Sequence, residues 1–482
     1  MRRRDFFVAP LAAASLASCV RPRPESKLLP SLAPIPQPFE IALPIPPVAQ
    51  MTRSDAVTDS YEIDVKLATA RILAGFDTPI FGYGGVFPAP TIAARHGRRV
   101  SLKLRNRLPV PIVNHLHGGR TAPASDGYPI DFIQPDTQRE YIYENDQRAA
   151  TLWYHDHRLD FTGPQVWRGL AGFYILRDDE EDRLPLPRGG RDIPLMICDR
   201  SFNADGSFQY PSIDSSLLGK PGVTEGFMGG VLGDVILVNG APWPKLEVAN
   251  VKYRFRILNA ANARRYEIAL DPPGEIVQIG SDGGLLAAPV TQGSIQIAQA
   301  ERFDVIIDFS KYPVGSRVTL LNRLDTGAMG RVMRFDIVRS EHDDTSIPSK
   351  LSDVPDPRPE DAVVTRDFDF SYSRFRHEWL INGRPFDPNR MDARPRLDST
   401  EIWRLATDFN HPLHLHLVHF RILSHSGRPG IYDSGWKDTI DLGPGQAASI
   451  LIPFRGYRGR YVFHCHNLEH EDMSMMANFE VI

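Results

Sequence analysis

The stretch His464-Cys465-His466-Asn467-Leu468-Glu469-His470, followed by Met475, gathers three kinds of donor atom. The residues before it, Arg460-Tyr461-Val462-Phe463, include β-branched and aromatic types, so the pattern predicts that His464 to His466 end a strand. Side chains on a strand alternate between faces. Cys465 then points one way, while His464 and His466 point the other. His470 returns one short turn later, and Met475 stands ten residues after the cysteine. A thiolate, an imidazole and a thioether converging on one point form a blue-copper donor set once a second imidazole arrives from elsewhere. The two flanking histidines are free to bind metal on the far side. One peptide segment would thus link two metal sites through a few covalent bonds. A structural zinc site wants four tetrahedral nitrogen or sulfur ligands, usually in paired short spacings, and this segment does not supply them.

Three more H-x-H pairs occur, His115/His117, His155/His157 and His414/His416. At this histidine frequency, chance supplies roughly half of one such pair. On a strand, each pair sets two imidazoles on one face about 7 Å apart. Four pairs could cage a small metal cluster with room for an oxygen ligand. His411, in His411-Pro412-Leu413-His414-Leu415-His416, differs in parity from His414 and faces the other way on an extended strand. It is the natural second imidazole for Cys465. His96, His342, His377, His419 and His425 lack a partner at ligand spacing and read as surface or core histidines.

The elements that must position these residues are short strands. At 482 residues the chain is too long for one ordinary core. Forty-one prolines and thirty-seven glycines supply the turns that an all-β protein needs. A net charge of −4 gives no reason to expect a nucleic-acid partner. Three cysteines, Cys19, Cys198 and Cys465, offer no disulfide framework. Tyr61-Glu62-Ile63-Asp64-Val65-Lys66-Leu67 alternates strictly, as a half-buried strand does. The first unit is expected over 57–185 and the second over 190–340. An acidic, Ser- and Pro-rich linker is expected over 341–363, and a third unit over 364–482. No long helical period appears, so three β-sandwiches are expected. Trp379-Leu380-Ile381-Asn382-Gly383 echoes Val235-Ile236-Leu237-Val238-Asn239-Gly240, as repeated domains of one type would.

The N-terminus reads as an address. Arg2-Arg3-Arg4 precedes an apolar run from Phe6 to Ala17, the shape of an export signal over residues 1–19. Arg3-Arg4-Asp5-Phe6-Phe7 resembles the twin-arginine consensus, and Leu16-Ala17-Ser18-Cys19 resembles a lipobox that would lipidate Cys19. These features predict export to the periplasm or cell envelope, with an anchor at Cys19. Residues 20–56, dense in proline, read as an extended tether.

His115-Leu116-His117-Gly118, Trp153-Tyr154-His155-Asp156-His157, His411 to His416 and His464 to Met475 resemble the four copper motifs of the multicopper oxidases. The likeness runs from about residue 57 to the end. It is nearest to the bacterial spore-coat-laccase and bilirubin-oxidase branch, as in Asp199-Arg200-Ser201-Phe202-Asn203. The resemblance implies three consecutive cupredoxin-like Greek-key sandwiches. It also implies a type 1 copper held by His411, Cys465, His470 and axial Met475, with Met473 and Met476 as rivals for the axial role. His115 and His414 would hold a type 2 copper. His117, His155, His157, His416, His464 and His466 would hold a type 3 pair. Asp126 and Glu471 match acidic positions that serve as proton carriers near the cluster. The implied reaction takes single electrons from a phenol, aromatic amine or bilirubin-like reductant and reduces O₂ to water. A Cu(I) or Mn(II) oxidase is the nearest rival, although no methionine-rich run precedes residue 473. A non-enzymatic envelope scaffold on the same fold is the rival from another class, and a complete ligand set argues against it.

Overall fold

The computed structural model describes residues 24–354, 357–426 and 430–482. Arg3, Arg4 and Cys19 lie outside the described residues. Alternation builds the first unit. Arg99–Asn106 buries every second side chain and pairs with Thr58–Ala70 on one side and Gln138–Tyr143 on the other. A second sheet runs Ala89–Arg95, Ala171–Arg177, Ala150–Asp156, Asn114–His117. Leu102, Leu104, Leu152 and Tyr154 fill the space between the two sheets.

The second unit stacks an eight-stranded sheet centred on Asp192–Phe202, Lys252–Asn259 and Arg302–Asp308 against a five-stranded one. The third packs a five-stranded sheet containing Ala362–Ser373 and Thr400–Thr407 against a four-stranded one. That four-stranded sheet has the order Thr439–Leu442, His411–Leu415, Gly459–Cys465, Met476–Val481. Trp403 is fully buried between them, with ring centroids 4.7 Å from Phe368 and 5.1 Å from Phe463. Each such buried ring contributes about 2 kcal/mol. That rigidity fixes the strands carrying the C-terminal donors.

The sequence echo is a pair of hairpin turns. Asn239 and Gly240 have φ of 50° and 82°, and Asn382 and Gly383 have φ of 50° and 70°. Two consecutive positive-φ residues match the twist of a two-residue hairpin, and Asn-Gly tolerates them best. Val238 accordingly pairs with Ala241.

One expectation needs correction. The Pro-rich segment is not a free tether from residue 24 onward. Lys27–Leu28 runs parallel to Val231–Leu232, and Leu29, Ala33 and Leu43 are buried. Leu43 N–H donates to the Lys245 carbonyl at 2.7 Å. Isolated apolar residues between prolines seat the segment as a strap on the second sandwich. The linker is docked as well. Leu351 is buried, and Ser352 Oγ accepts from Arg148 at 2.8 Å.

Ion pairs seat the first sandwich on the second. Glu181 Oε1 accepts from Arg254 and Arg256, each at 2.7 Å, and Asp192 also binds Arg256. Burial alone would raise Glu181, but Arg256, Arg254 and Arg177 overcome it and hold the carboxyl at about 2.

Candidate metal centres

Register decides which donors share a face. On the strand pair His411–Leu415 and Gly459–Cys465, Leu413 lies opposite Cys465 and His414 lies opposite His464. Opposed residues in an antiparallel pair project to the same side. His411 has the parity of Leu413, so it joins Cys465 on one face. His414 joins His464 on the other.

On the first face, Cys465 Sγ lies 3.3 Å from His411 Nδ1 and 3.6 Å from His470 Nδ1. The two ring nitrogens are 3.2 Å apart. His470 follows in the short helix Leu468–Asp472, which Asn467 caps. Met475 is fully buried, and its carbonyl accepts from Cys465 N–H at 3.1 Å. Trp379 stacks on His470 at 3.7 Å. Burial pushes the Cys465 thiol well above its ordinary range, so metal binding must displace its proton. Beside these residues a cavity of about 240 Å³ is lined by Ser26, Arg264, Arg265, Asn410 and Asn467.

On the second face the four pairs meet. Within each pair the ring centroids are 5.0 to 5.8 Å apart. The outer nitrogens are anchored. His115 Nδ1 donates to the Asp126 carbonyl at 2.6 Å, His155 Nδ1 to the Asp156 carbonyl at 2.8 Å, and His414 Nδ1 to the Asp438 carbonyl at 2.9 Å. A carbonyl only accepts, so Nδ1 carries the proton and Nε2 presents a lone pair inward. His416 Nδ1 faces Asp126 Oδ2 at 2.8 Å.

The inner nitrogens converge. His464 Nε2 lies 3.2 Å from His157 Nε2 and 3.3 Å from His416 Nε2. His414 and His115 meet through Nε2 at 3.4 Å. His117 Nδ1, His155 Nε2 and His466 Nε2 are buried without a hydrogen-bond partner, and the three rings lie 5.1 to 5.8 Å apart. Buried nitrogens without a hydrogen-bond partner cost free energy, which bound cations would offset. Burial, with repulsion among the rings, pushes the imidazoles at 115, 117, 416 and 466 well below their ordinary value. They are neutral at pH 7 and ready to ligate. Three imidazoles with no thiolate suit copper redox chemistry, and the His411, Cys465, His470 trio suits a blue-copper ion.

Both acidic residues singled out in the sequence touch this cluster. Glu471 Oε2 lies 3.2 Å from His464 Nδ1, and its Oε1 lies 3.6 Å from His157 Nδ1. Asp126 stands against His416 and His115, as above. Asp438 escaped sequence reasoning. Its Oδ1 lies 3.1 Å from His117 Nε2, and Arg302 binds both carboxylate oxygens, at 2.8 and 2.5 Å. Burial would raise Asp438, but Arg302 and His117 hold it well below the usual carboxylate range. One acidic residue among 59 has no spacing signal. His419, read as a surface or core histidine, has its Nε2 3.7 Å from Asp438 Oδ2. It lines a cavity of about 420 Å³ between the three sandwiches.

Known proteins share this plan. Two family models described as multicopper oxidase match residues 64–181 and 353–482. A laccase from Bacillus subtilis (strain 168) is 37% identical over 92% of this chain and 98% of its own. A bilirubin oxidase from Albifimbria verrucaria is 34% identical over 92% of this chain and 81% of its own. A crystal structure of a laccase from Pediococcus acidilactici Pa5930 superposes with a TM-score of 0.85 at 31% identity, covering 95% of this chain and 96% of that one. The multicopper oxidase McoA of the hyperthermophile Aquifex aeolicus superposes with a TM-score of 0.81 at 30% identity, over 91% and 99%. At these identities and over most of its length, the chain belongs to the multicopper oxidase family, as a laccase-like copper oxidoreductase that uses O₂.

Proposed function

We propose that a small organic reductant, of the phenol, aromatic-amine or bilirubin-like class, is oxidised beside Cys465 while O₂ is reduced to water among the paired imidazoles. The carrying observation is the parity switch at one segment, with Cys465 Sγ 3.3 Å from His411 and its neighbour His464 3.2 Å from His157 on the far side. His411, Cys465, His470 and the thioether of Met475 would hold type 1 copper in this reading. His115 and His414 would hold type 2 copper, and His117, His155, His157, His416, His464 and His466 would hold the type 3 pair. Copper bound there would supply one-electron redox chemistry, and the overall reaction joins four electrons and four protons with one O₂ to give two waters.

The residues of the chain do the rest. The peptide bonds from Cys465 to His464 and His466 give a covalent route between the two sites. Tight packing around the fully buried rings excludes bulk water from the cage. Glu471 and Asp126 stand against ligand rings and are the proton carriers in this reading. The polar cavity beside Asn410 and Asn467 receives the reductant.

Steady-state kinetics with a phenol, bilirubin, Cu(I) and Mn(II), recording O₂ uptake and peroxide, test the assignment. The expected result is turnover of an organic reductant at four electrons per O₂ without peroxide. Turnover of metal ions alone would replace this reading with that of a metal oxidase. The same proposal includes export to the periplasm or envelope with a lipid on Cys19, supported by Arg3-Arg4 and the lipobox-like residues. Membrane fractionation of wild type against Cys19→Ser tests it, and a soluble wild-type chain would refute the anchor.

A further inference from the structure

Gly229 is where the N-terminal strap meets the sulfur site. Its carbonyl oxygen accepts from Ser26 Oγ at 2.7 Å, from Asn467 Nδ2 at 3.2 Å and from His470 Nε2 at 3.2 Å. Because a carbonyl only accepts, the last contact places the imidazole proton on Nε2 and leaves the Nδ1 lone pair for the ion beside Cys465 Sγ. The strap fixes that carbonyl from several sides. Lys27 N–H donates to the Gly230 carbonyl at 2.9 Å, and Leu29 N–H to the Leu232 carbonyl at 2.8 Å. Leu29 is buried with Trp167, Val223 and Val231. Val231 N–H donates to Glu469 Oε2 at 3.1 Å, one residue before His470.

Close approach dictates the glycines here. A Cβ on Gly229 would run into the backbone of Glu25. At Gly230, with φ of +129°, it would meet Ser26 Oγ at 2.8 Å and Asn467 Nδ2 at 3.0 Å. The loop is tied to the ring's face as well as its edge. Trp379, stacked on His470, donates from Nε1 to the Met228 carbonyl at 3.0 Å. His470 is consequently 0% exposed, and Ser26 forms part of the wall of the adjoining cavity.

We propose that Ser26 is a positioning residue of the sulfur site. By pinning the Gly229 carbonyl, the N-terminal strap sets the orientation of His470 and closes the outer edge of its ring. This rests on the reading of His470 as a copper ligand.

The test compares the copper-loaded full chain with Ser26→Ala, Ser26→Thr and Lys27→Pro, the last deleting the N–H that binds Gly230. The readouts are the thiolate-to-copper absorption band, the midpoint potential, copper content and melting temperature. Amide hydrogen exchange over residues 228–232 is followed in the copper-free protein. Ser26→Ala and Lys27→Pro should shift the band and the potential and speed that exchange about tenfold. Copper content should stay full, and Ser26→Thr should restore the wild-type values. A wild-type band and potential in Ser26→Ala and Lys27→Pro would overturn the inference. So would a shift that Ser26→Thr fails to rescue. A wild-type chain that binds copper without a thiolate band would overturn the ligand reading itself, and the inference with it.

Discussion

His157 and His464 are 307 residues apart in the chain, yet their Nε2 atoms lie 3.2 Å apart in the fold. The first belongs to the first sandwich and the second to the third. A metal ion held by both rings would make the cluster a clasp between the ends of the molecule as well. His414 and His115 repeat the arrangement at 3.4 Å across 299 residues.

Replacing Cys465 by serine separates the two sites. The variant keeps all eight paired imidazoles and loses the thiol that lies 3.3 Å from His411. It should bind three coppers in place of four, lack the thiolate absorption band, and oxidise reductant about a thousandfold more slowly. Metal analysis, visible spectroscopy and steady-state rates check this. A variant that retains the band would show that another donor supplies the thiolate.

Glu471→Gln keeps the shape of the side chain and removes its charge and proton. With Oε2 3.2 Å from His464 Nδ1, the carboxylate both orients that ring and stands where a proton is needed. Turnover should fall about 10- to 100-fold with copper still fully loaded. Asp126→Asn, acting on His416 and His115, should do the same. An unchanged rate and pH profile in both would remove these residues from the mechanism.

Much of this site is legible in the sequence because period-2 alternation turns spacing directly into facing. The placement of His464 against Cys465, and of His411 against His414, needs only parity. What brings Asp438 and Arg302 to His117 is the packing of three sandwiches, which no local pattern encodes. The strap was hidden for a different reason. Leu29, Ala33 and Leu43 are buried, but they sit between prolines with no period, and the contacts at Gly229 and Gly230 are made by the backbone. The Asn-Gly turns lie between these extremes, because their positive φ values follow from residue type alone.

Glu181 predicts an acid limit to the seam between the first and second sandwiches. Its folded value of about 2 lies below the ordinary 4.5. A depressed carboxyl contributes stability that is full above the unfolded value and is lost as pH falls through the folded one. The gap corresponds to about 3 kcal/mol. Urea midpoints should therefore drop between pH 5 and about pH 2 in the wild-type chain. Glu181→Gln should lose much of that stability already at pH 7 and show a flatter profile over the same range. A parallel profile in the variant would assign the acid sensitivity to other carboxyls.

Removing copper should loosen the molecule unevenly. Ligand binding to the folded state alone stabilises it by about 4 kcal/mol at a thousandfold excess over Kd. Without metal, the Nε2 lone pairs of His115 and His414 face each other at 3.4 Å, and the orphaned nitrogens of His117, His155 and His466 stay buried without partners. The melting temperature should fall on chelation. Hydrogen exchange should rise in Asn114–His117, Ala150–Asp156, His411–Leu415 and Gly459–Cys465, the strands that carry the donors. The central strands of the second sandwich, Lys252–Asn259 and Arg302–Asp308, contribute no imidazole and should keep their protection. A uniform rise across all three sandwiches would mean that copper stabilises the fold globally, without acting as a clasp between its first and third parts.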